Sequence, residues 1–421
     1  MDDSASVTSP VVSVRETHRR RLLGGLVGGT LAGVFGWHQI KADRKRQSKR
    51  HDKNRKRLQD QGGGARQGDG PRMAADGSTH KGGSPALTVL TRNLYFGADL
   101  QPIFLATSFP DLLTRVATAF AMVHATNFPE RAKAIAGEIA ALDPHLVGLQ
   151  EVALWRRGTP VDPALWAPGT PAETVEYDFL AILLGELAAR GKAYAVVAKV
   201  ENIDAQAPGF TDTGLVHDVR LTDHDVMLAR TDLPKSVFKV GGTASGHFTA
   251  KVTGLLLGTP IETKSGWTQV DAHFHGRAVR IVATHLEPFD LHIQEEQRAE
   301  LVSGPLRPSL PTVLVGDLNS PAPAGSTYAK MLEEGFVDAW TTSRPNDAGF
   351  TWGHAADLRN PEPTLTERID FVLTRGNLTA SSTNRVGHEK DRTPSGLWPS
   401  DHAGVWAVVQ VKDKGADAEV G

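Results

Sequence analysis

The chain has 421 residues, 40% of them hydrophobic and 22% charged, which suits one large or two ordinary globular domains and excludes a fibrous protein. It has no cysteine, so disulfides and thiolate metal sites are excluded as well. The net charge of −2 hides a division: residues 1–86 carry 17 Lys and Arg against 8 Asp and Glu (+9), and the remaining 29 against 40 leave a body at −11. An acidic body argues against binding driven by neutralising many phosphates, and it suits a site that recruits cations.

His18-Arg19-Arg20-Arg21-Leu22-Leu23 opens an apolar, Gly-rich stretch that runs to Trp37. A basic segment before a modest apolar one is the pattern of an export signal. Consecutive arginines ahead of Leu-Leu resemble a twin-arginine signal, which exports folded proteins. Residues 1–40 are therefore expected to be an export signal, giving an extracytoplasmic or secreted protein, with an uncleaved anchor or an unstructured leader as alternatives. Against the signal, no A-x-A cleavage site follows, and the basic flank at residues 41–57 opposes translocation. The stretch is also short for a membrane span. Residues 41–85, basic and then Gly-rich, cannot bury a core and read as a flexible linker. The basic run has the charge for transient contact with an anionic membrane, a cell-wall polymer or nucleic acid, although a solvated linker is the plainer reading.

From Ala86 the texture changes. Residues 87–93 read as a strand ending at a polar residue, and helices are predicted at 111–125 and 130–142. In the second helix Ala134, Ile135, Ile139 and Leu142 recur at helical spacing. A short buried strand at 146–151 ends in a carboxylate, and a helix at 179–190 leads to a strand at 194–198. Residues 200–210, rich in Asn, Asp and Gly, read as a long surface loop bearing specificity. Further strands are predicted at 225–229, 267–274, 278–284, 312–316, 369–374 and 405–411, with helices at 293–301 and 328–334. Strands and helices are mixed without strict alternation, which favours an α+β layered sandwich over residues 86–412, and 413–421 as a disordered tail.

Polar residues gather at the strand ends. Asn93, Glu151, His285, Asp317 with Asn319, Asp370, and Asp401 with His402 are each expected to terminate or directly follow an apolar strand. Loops at one edge of a sheet are where a rigid scaffold presents catalytic groups. Oxygen donors without cysteine suit a hard cation, Mg2+ with Mn2+ or Ca2+ as alternatives. Plainer readings exist for each. Asn93 and the Asp317/Asn319 pair could form turns, Asp370 could pair with Arg368, and the histidines could be ordinary surface imidazoles. His224, His273, His275, His292 and His354 are read in that way, and Trp352 is read equally as packing or as a residue near substrate.

Six segments together resemble the endonuclease/exonuclease/phosphatase family, the DNase I-like metal phosphohydrolases. They are Thr91-Arg92-Asn93, Gly148-Leu149-Gln150-Glu151-Val152, Thr284-His285-Leu286-Glu287, Val315-Gly316-Asp317-Leu318-Asn319-Ser320, Arg368-Ile369-Asp370-Phe371-Val372-Leu373 and Ser400-Asp401-His402, in the family's order. The resemblance implies a four-layer α/β/β/α sandwich of two mixed, mostly antiparallel sheets flanked by helices. It implies Glu151 as the principal metal carboxylate, helped by Asn93 and Asp401. Asp317 and Asn319 would sit beside the scissile phosphorus. His402 would be the general base, held by Asp370. His285 would donate to a phosphate oxygen or the leaving group, oriented by Asp223 or Asp225, with Asp225 preferred.

Relatives cleave DNA, RNA, sphingomyelin, phosphoinositides and small phosphoesters. By prevalence, the leading expectation is a monomeric, exported phosphodiesterase acting on nucleic acid, DNA or RNA. The alternatives are a sphingomyelinase-type lipid-headgroup phosphodiesterase, a small-molecule phosphatase, and a non-catalytic binding protein on the same scaffold. An apolar hairpin beside the site would favour lipid, and none is evident in the sequence.

Overall fold

The structure, a computed structural model, describes residues 85–389 and 391–412. The signal, linker and tail expected at residues 1–84 and 413–421 lie outside the described residues.

Strand β1 (Ala86–Asn93) is followed by helices α1 (Gln101–Phe104), α2 (Phe109–Ala125) and α3 (Phe128–Leu142). Next come β2 (Leu146–Gln150), β3 (Leu154–Arg157), β4 (Thr174–Asp178), α4 (Phe179–Ala189), β5 (Tyr194–Phe210) and β6 (Val216–Arg230). The middle of the chain forms β7 (Phe238–His247), β8 (Val252–Leu256), β9 (Thr259–Thr263), β10 (Gly266–Phe274) and β11 (Arg277–His285). After α5 (Leu291–Ser303) and β12 (Thr312–Asp317) come α6 (Ser326–Glu333), β13 (Val337–Asp338), α7 (Ala339–Ser343), β14 (Asp370–Arg375), β15 (Leu378–Val386) and β16 (Gly404–Val411).

The helices start where the sequence supplies caps. Ser108 accepts from the Asp111 N–H at the start of α2, Asp178 from Ala181 at α4, and Asp290 from His292 and Ile293 at α5. Along α3 the buried positions Phe128, Ala132, Ile135 and Ile139 make one stripe. That stripe and the inner faces of α2 and α4 cover one sheet, ordered β15-β16-β1-β2-β6-β3-β4 with β5 on β6. Helices α5 and α6 cover the second sheet, ordered β13-β14-β12-β11-β10-β7. Between the sheets lies a core of alternate strand residues, among them Val89, Met227, Val270, Ile281, Val313 and Val405. The layers are therefore helix, sheet, sheet, helix, as expected. No described helix is long and apolar enough to cross a membrane.

Each sheet holds one parallel pair, β1 with β2 and β11 with β12, while the other neighbours run antiparallel. This arrangement corrects two expectations. Asp370 opens β14, and Asp401 and His402 precede β16. They reach the same edge as the strand-terminal residues because their strands run the other way. Residues 200–210 are not a loop: β5 continues to Phe210 against β6, and register shifts at Val196/Ala198 and Glu201/Asp204 absorb the residues that looked like loop.

The approach of β12 to β11 depends on Gly316. Its φ is +143°, and a Cβ there would overlap the Thr284 carbonyl oxygen. Gly316→Ala is expected to cost about 2–4 kcal/mol of unfolding free energy, through strain and displaced backbone. Urea denaturation would read the loss, and a variant as stable as the parent would refute the close-approach argument.

Candidate active site

Strand register builds the site. In the β1–β2 pair Asn93 stands beside Gln150, so Glu151 follows directly past the strand end. Parallel β11–β12 sets His285 beside Asp317, and antiparallel β14 sets Asp370 on the other side of Asp317. The Ser400 hydroxyl donates to the Asn93 carbonyl at 2.9 Å, which ties the Asp401-His402 turn to the end of β1.

Hydrogen bonds hold the side chains. The Asn93 amide donates to Glu151 Oε1 at 3.0 Å and faces Asp317 Oδ2 at 3.4 Å, while its own Oδ1 accepts the Tyr95 N–H at 2.9 Å. Glu151 Oε2 accepts the Phe96 N–H at 2.9 Å, and the residue takes the left-handed φ of +55°. Both carboxylate oxygens keep lone pairs in reserve. His402 Nδ1 meets Asp370 Oδ2 at 2.9 Å, and its Nε2 stands 3.9 Å from Asp401 Oδ1. Asp317 Oδ2 lies 3.6 Å from His285 Nε2, and its Oδ1 accepts the Asn319 N–H at 2.8 Å. The Asn319 amide donates to the Leu286 carbonyl at 2.9 Å. The turn readings of Asn93 and Asp317/Asn319 therefore coexist with their place in the site. Arg368 binds Asp338 at 2.6 Å, which leaves Asp370 to His402.

The structure brings together Asn93, Glu151, His285, Asp317, Asn319, Asp370, Asp401 and His402. It does not bring Asp225 to His285. Among the described residues the carboxylate within 4.0 Å of His285 is that of Asp317. Fully buried Asp225 points between the sheets, near the Asn202 amide, with no well-formed hydrogen bond on either oxygen. Asp223 binds the Asn202 amide at 3.2 Å instead.

Sequence reasoning missed the support behind the site. Fully buried Arg131 on α3 donates to the carbonyls of Thr126, Leu94, Tyr95 and Pro399, clamping the turn after β1 to the turn before Asp401. Arg92 binds Glu138 at 3.0 Å and also reaches the His402 carbonyl. The available signal was an arginine on the apolar stripe of a helix. Trp352 Nε1 donates to Asp401 Oδ2 at 3.3 Å, so this residue touches the site. His354, read as bland, is buried against the Trp398 ring at 4.2 Å.

The electrostatics suit a cation. Burial, with Asp401 close by, pushes the Glu151 carboxyl above its usual range, and burial does the same to Asp401. Burial and the neighbouring Asp370 push Asp317 up to about 8. Burial opposes charge on His402, yet Asp370 and Asp401 outweigh it and lift the ring to about 10. Burial holds His285 below its ordinary value. Carboxylates this crowded repel one another, and an oxygen-liganded divalent ion would offset the repulsion. One atom each from Asp317, Asp370 and His402 lie within 4.8 Å of one another. Because His402 and Asp370 are already joined by a hydrogen bond, Glu151 with Asp401 is the freer carboxylate pair for an ion.

These shifts have a sign. A carboxyl and an imidazole raised in the folded state both hold protons that the unfolded chain releases, so rising pH destabilises the fold. The window runs up to about 8 for Asp317, and from 6.5 to about 10 for His402. In chelator, the melting temperature is expected to fall between pH 6.5 and 8. Added Mg2+ should raise it more at the upper end, where no proton competes for the carboxylates. A chelated protein that gains stability over that interval would contradict this account.

No curated protein sequence matches the chain. Solved structures similar to it include an endonuclease/exonuclease/phosphatase from Beutenbergia cavernae, at 22% identity over 77% of this chain and 72% of that one, with a TM-score of 0.47. A mannosyl-6-phosphatase from Bacteroides thetaiotaomicron is 16% identical over 77% and 99%, with a TM-score of 0.46. D. rerio TDP2, complexed with a single-strand DNA product, is 16% identical over 77% and 98%, with a TM-score of 0.44. The profile of the Endonuclease/Exonuclease/phosphatase family matches residues 122–402, a span that opens after Asn93 and takes in Glu151, His285, Asp317, Asp370, Asp401 and His402. The chain belongs to that family of metal-dependent phosphoesterases.

Proposed function

We propose that the protein hydrolyses a phosphodiester, with His402 as the general base. The observation that carries this reading is the 2.9 Å contact between His402 Nδ1 and Asp370, which fixes the ring and leaves Nε2 facing the carboxylate cluster. Without an ion the carboxylates keep the ring protonated. A divalent ion on Glu151 and Asp401 would offset that negative charge, and the neutral ring would then take a proton from water at Nε2. The water oxygen bonds to phosphorus as the opposite P–O bond breaks, and the proton taken up by His402 returns through solvent to the departing oxygen. His285, kept neutral by burial, has an N–H to offer a phosphate oxygen. Asn319 and Asp317 are held by their own hydrogen bonds where they would position the phosphate and the water. A divalent ion held by Glu151 and Asp401, with Asn93 beside them, would supply Lewis-acid neutralisation of phosphoryl charge. Mg2+ is our assignment for that ion.

The expectation of a nucleic-acid substrate rests on prevalence within the family. A specific observation favours the second reading, a lipid headgroup. The β8–β9 hairpin joins β7 to β10 at the edge where His285 lies, and it exposes Leu255 (56%) and Leu257 (42%). Phe289 and Leu291, just past His285, are exposed too, as are Phe104, Leu105 and Phe109 in the segment leaving β1. Apolar side chains at a polar catalytic edge suit an amphipathic substrate. Meanwhile Arg156 and Arg220 in the neighbouring wall pair with Asp204, and Arg157 pairs with Glu176, so their charge is already matched within the protein.

The deciding experiment is turnover with Mg2+ on plasmid, RNA, sphingomyelin vesicles and bis-p-nitrophenyl phosphate. His402→Ala and Asp370→Asn are expected to lower kcat/KM by about 100-fold or more, and Glu151→Gln to abolish the metal dependence. Absence of turnover on every ester would reject the enzyme reading. Preference for polynucleotide over vesicles would reject the lipid reading.

We also propose that residues 1–40 export the protein, since consecutive arginines precede an apolar stretch. Arg19, Arg20 and Arg21 changed together to Lys should trap it in the cytoplasm. Unchanged fractionation would exclude a twin-arginine route.

A further inference from the structure

Beneath the catalytic edge lies a second group of polar atoms that the hydrolytic reading does not use. On β6, Val226 and Leu228 face the helices, while Met227 and Ala229 face the core between the sheets. Strand alternation places Asp225 and Asp223 on that same inner face. Asp225 is completely buried, at 0% accessibility, and neither of its oxygens makes a well-formed hydrogen bond, although the Asn202 amide lies close enough to favour its charge. Asp223 is 3% accessible; its Oδ2 accepts from Asn202 and its Oδ1 is unpartnered. Asn202 is brought inward by the register shift between Glu201 and Asp204. At 5% accessibility, its Oδ1 is unpartnered as well.

Buried polar atoms are almost always hydrogen-bonded, and a buried carboxylate without a donor is costly. Here four oxygens without a well-formed hydrogen bond, from two carboxylates and one amide, sit on adjacent strands. Two carboxylates balance the charge of a divalent ion, and an oxygen-only donor set selects a hard one.

We propose that Asp223, Asp225 and Asn202 hold a second divalent cation of the Mg2+ or Ca2+ class between the two sheets, apart from the one assigned to Glu151. Such an ion would tie the β5–β6 hairpin to the floor of the catalytic site, giving it a structural rather than a chemical role.

The test is equilibrium dialysis of the chelator-stripped full chain against Mg2+ and, separately, Ca2+, followed by metal counting. The parent is expected to bind two equivalents and Glu151→Gln one. Adding Asp225→Asn to Glu151→Gln should abolish the remaining equivalent. Absence of any ion in Glu151→Gln, meaning that water and a shared proton satisfy the cluster, would overturn the proposal. So would an equivalent that survives Asp225→Asn. Should Asp225→Asn fail to fold, Asn202→Ala in the Glu151→Gln background is expected to weaken the remaining site about tenfold, or 1.4 kcal/mol. Asn202→Asp should raise its affinity, and unchanged affinity in both would equally overturn the assignment.

Discussion

Holding several carboxylates together out of water is the constraint around which this protein is built. Glu151, Asp317 and Asp401 meet beside Asp370 at one edge of two packed sheets, where burial and neighbouring carboxylates disfavour the charges of the first three. The fold answers with donors that cannot move away: the Phe96 and Asn319 N–H groups, the Asn93 amide and the His402 ring. What remains uncompensated is the cation-binding capacity of the site. A pocket whose charges were fully matched by arginine would be stable without an ion, and it would have no use for one.

The scaffold keeps its own cations behind the site rather than in it. Arg131 and Arg92 reach backbone carbonyls of the turns that carry the functional groups, and neither offers its guanidinium to a site carboxylate at bonding distance among the described contacts. Each guanidinium is planar with several donors, so one side chain can join segments far apart in the chain. Arg131 joins residues 94 and 95 to residue 399 in this way. Helix α3 thus acts as a brace between the first strand and the last turn.

The edge that carries the chemistry also carries exposed apolar residues from three separate segments. A phosphoester buried in a polymer groove and one presented at a lipid surface need the same hydrolytic groups. The surroundings of those groups, not the groups themselves, distinguish the substrates. The Leu255 and Leu257 tip is therefore more informative about substrate than His402.

The sequence by itself determined the class of fold, most element positions and the eight residues that converge, because apolar runs broken by polar residues report strand ends directly. It located β1, β2, β11 and β12 to within a residue or two, and their polar ends follow from that. Strand direction was not legible, so Asp370 and Asp401 were placed after strands that they in fact precede. The β5–β6 hairpin was hidden because bulges interrupt alternation and make a long strand look like loop. Only the tertiary structure could separate Asp225 from His285, since both lie on buried strands and their distance depends on how two sheets pack. It alone revealed the Arg131 clamp and the apolar hairpin beside the site. Those features depend on contacts between residues remote in the chain, and local sequence pattern carries no record of such contacts.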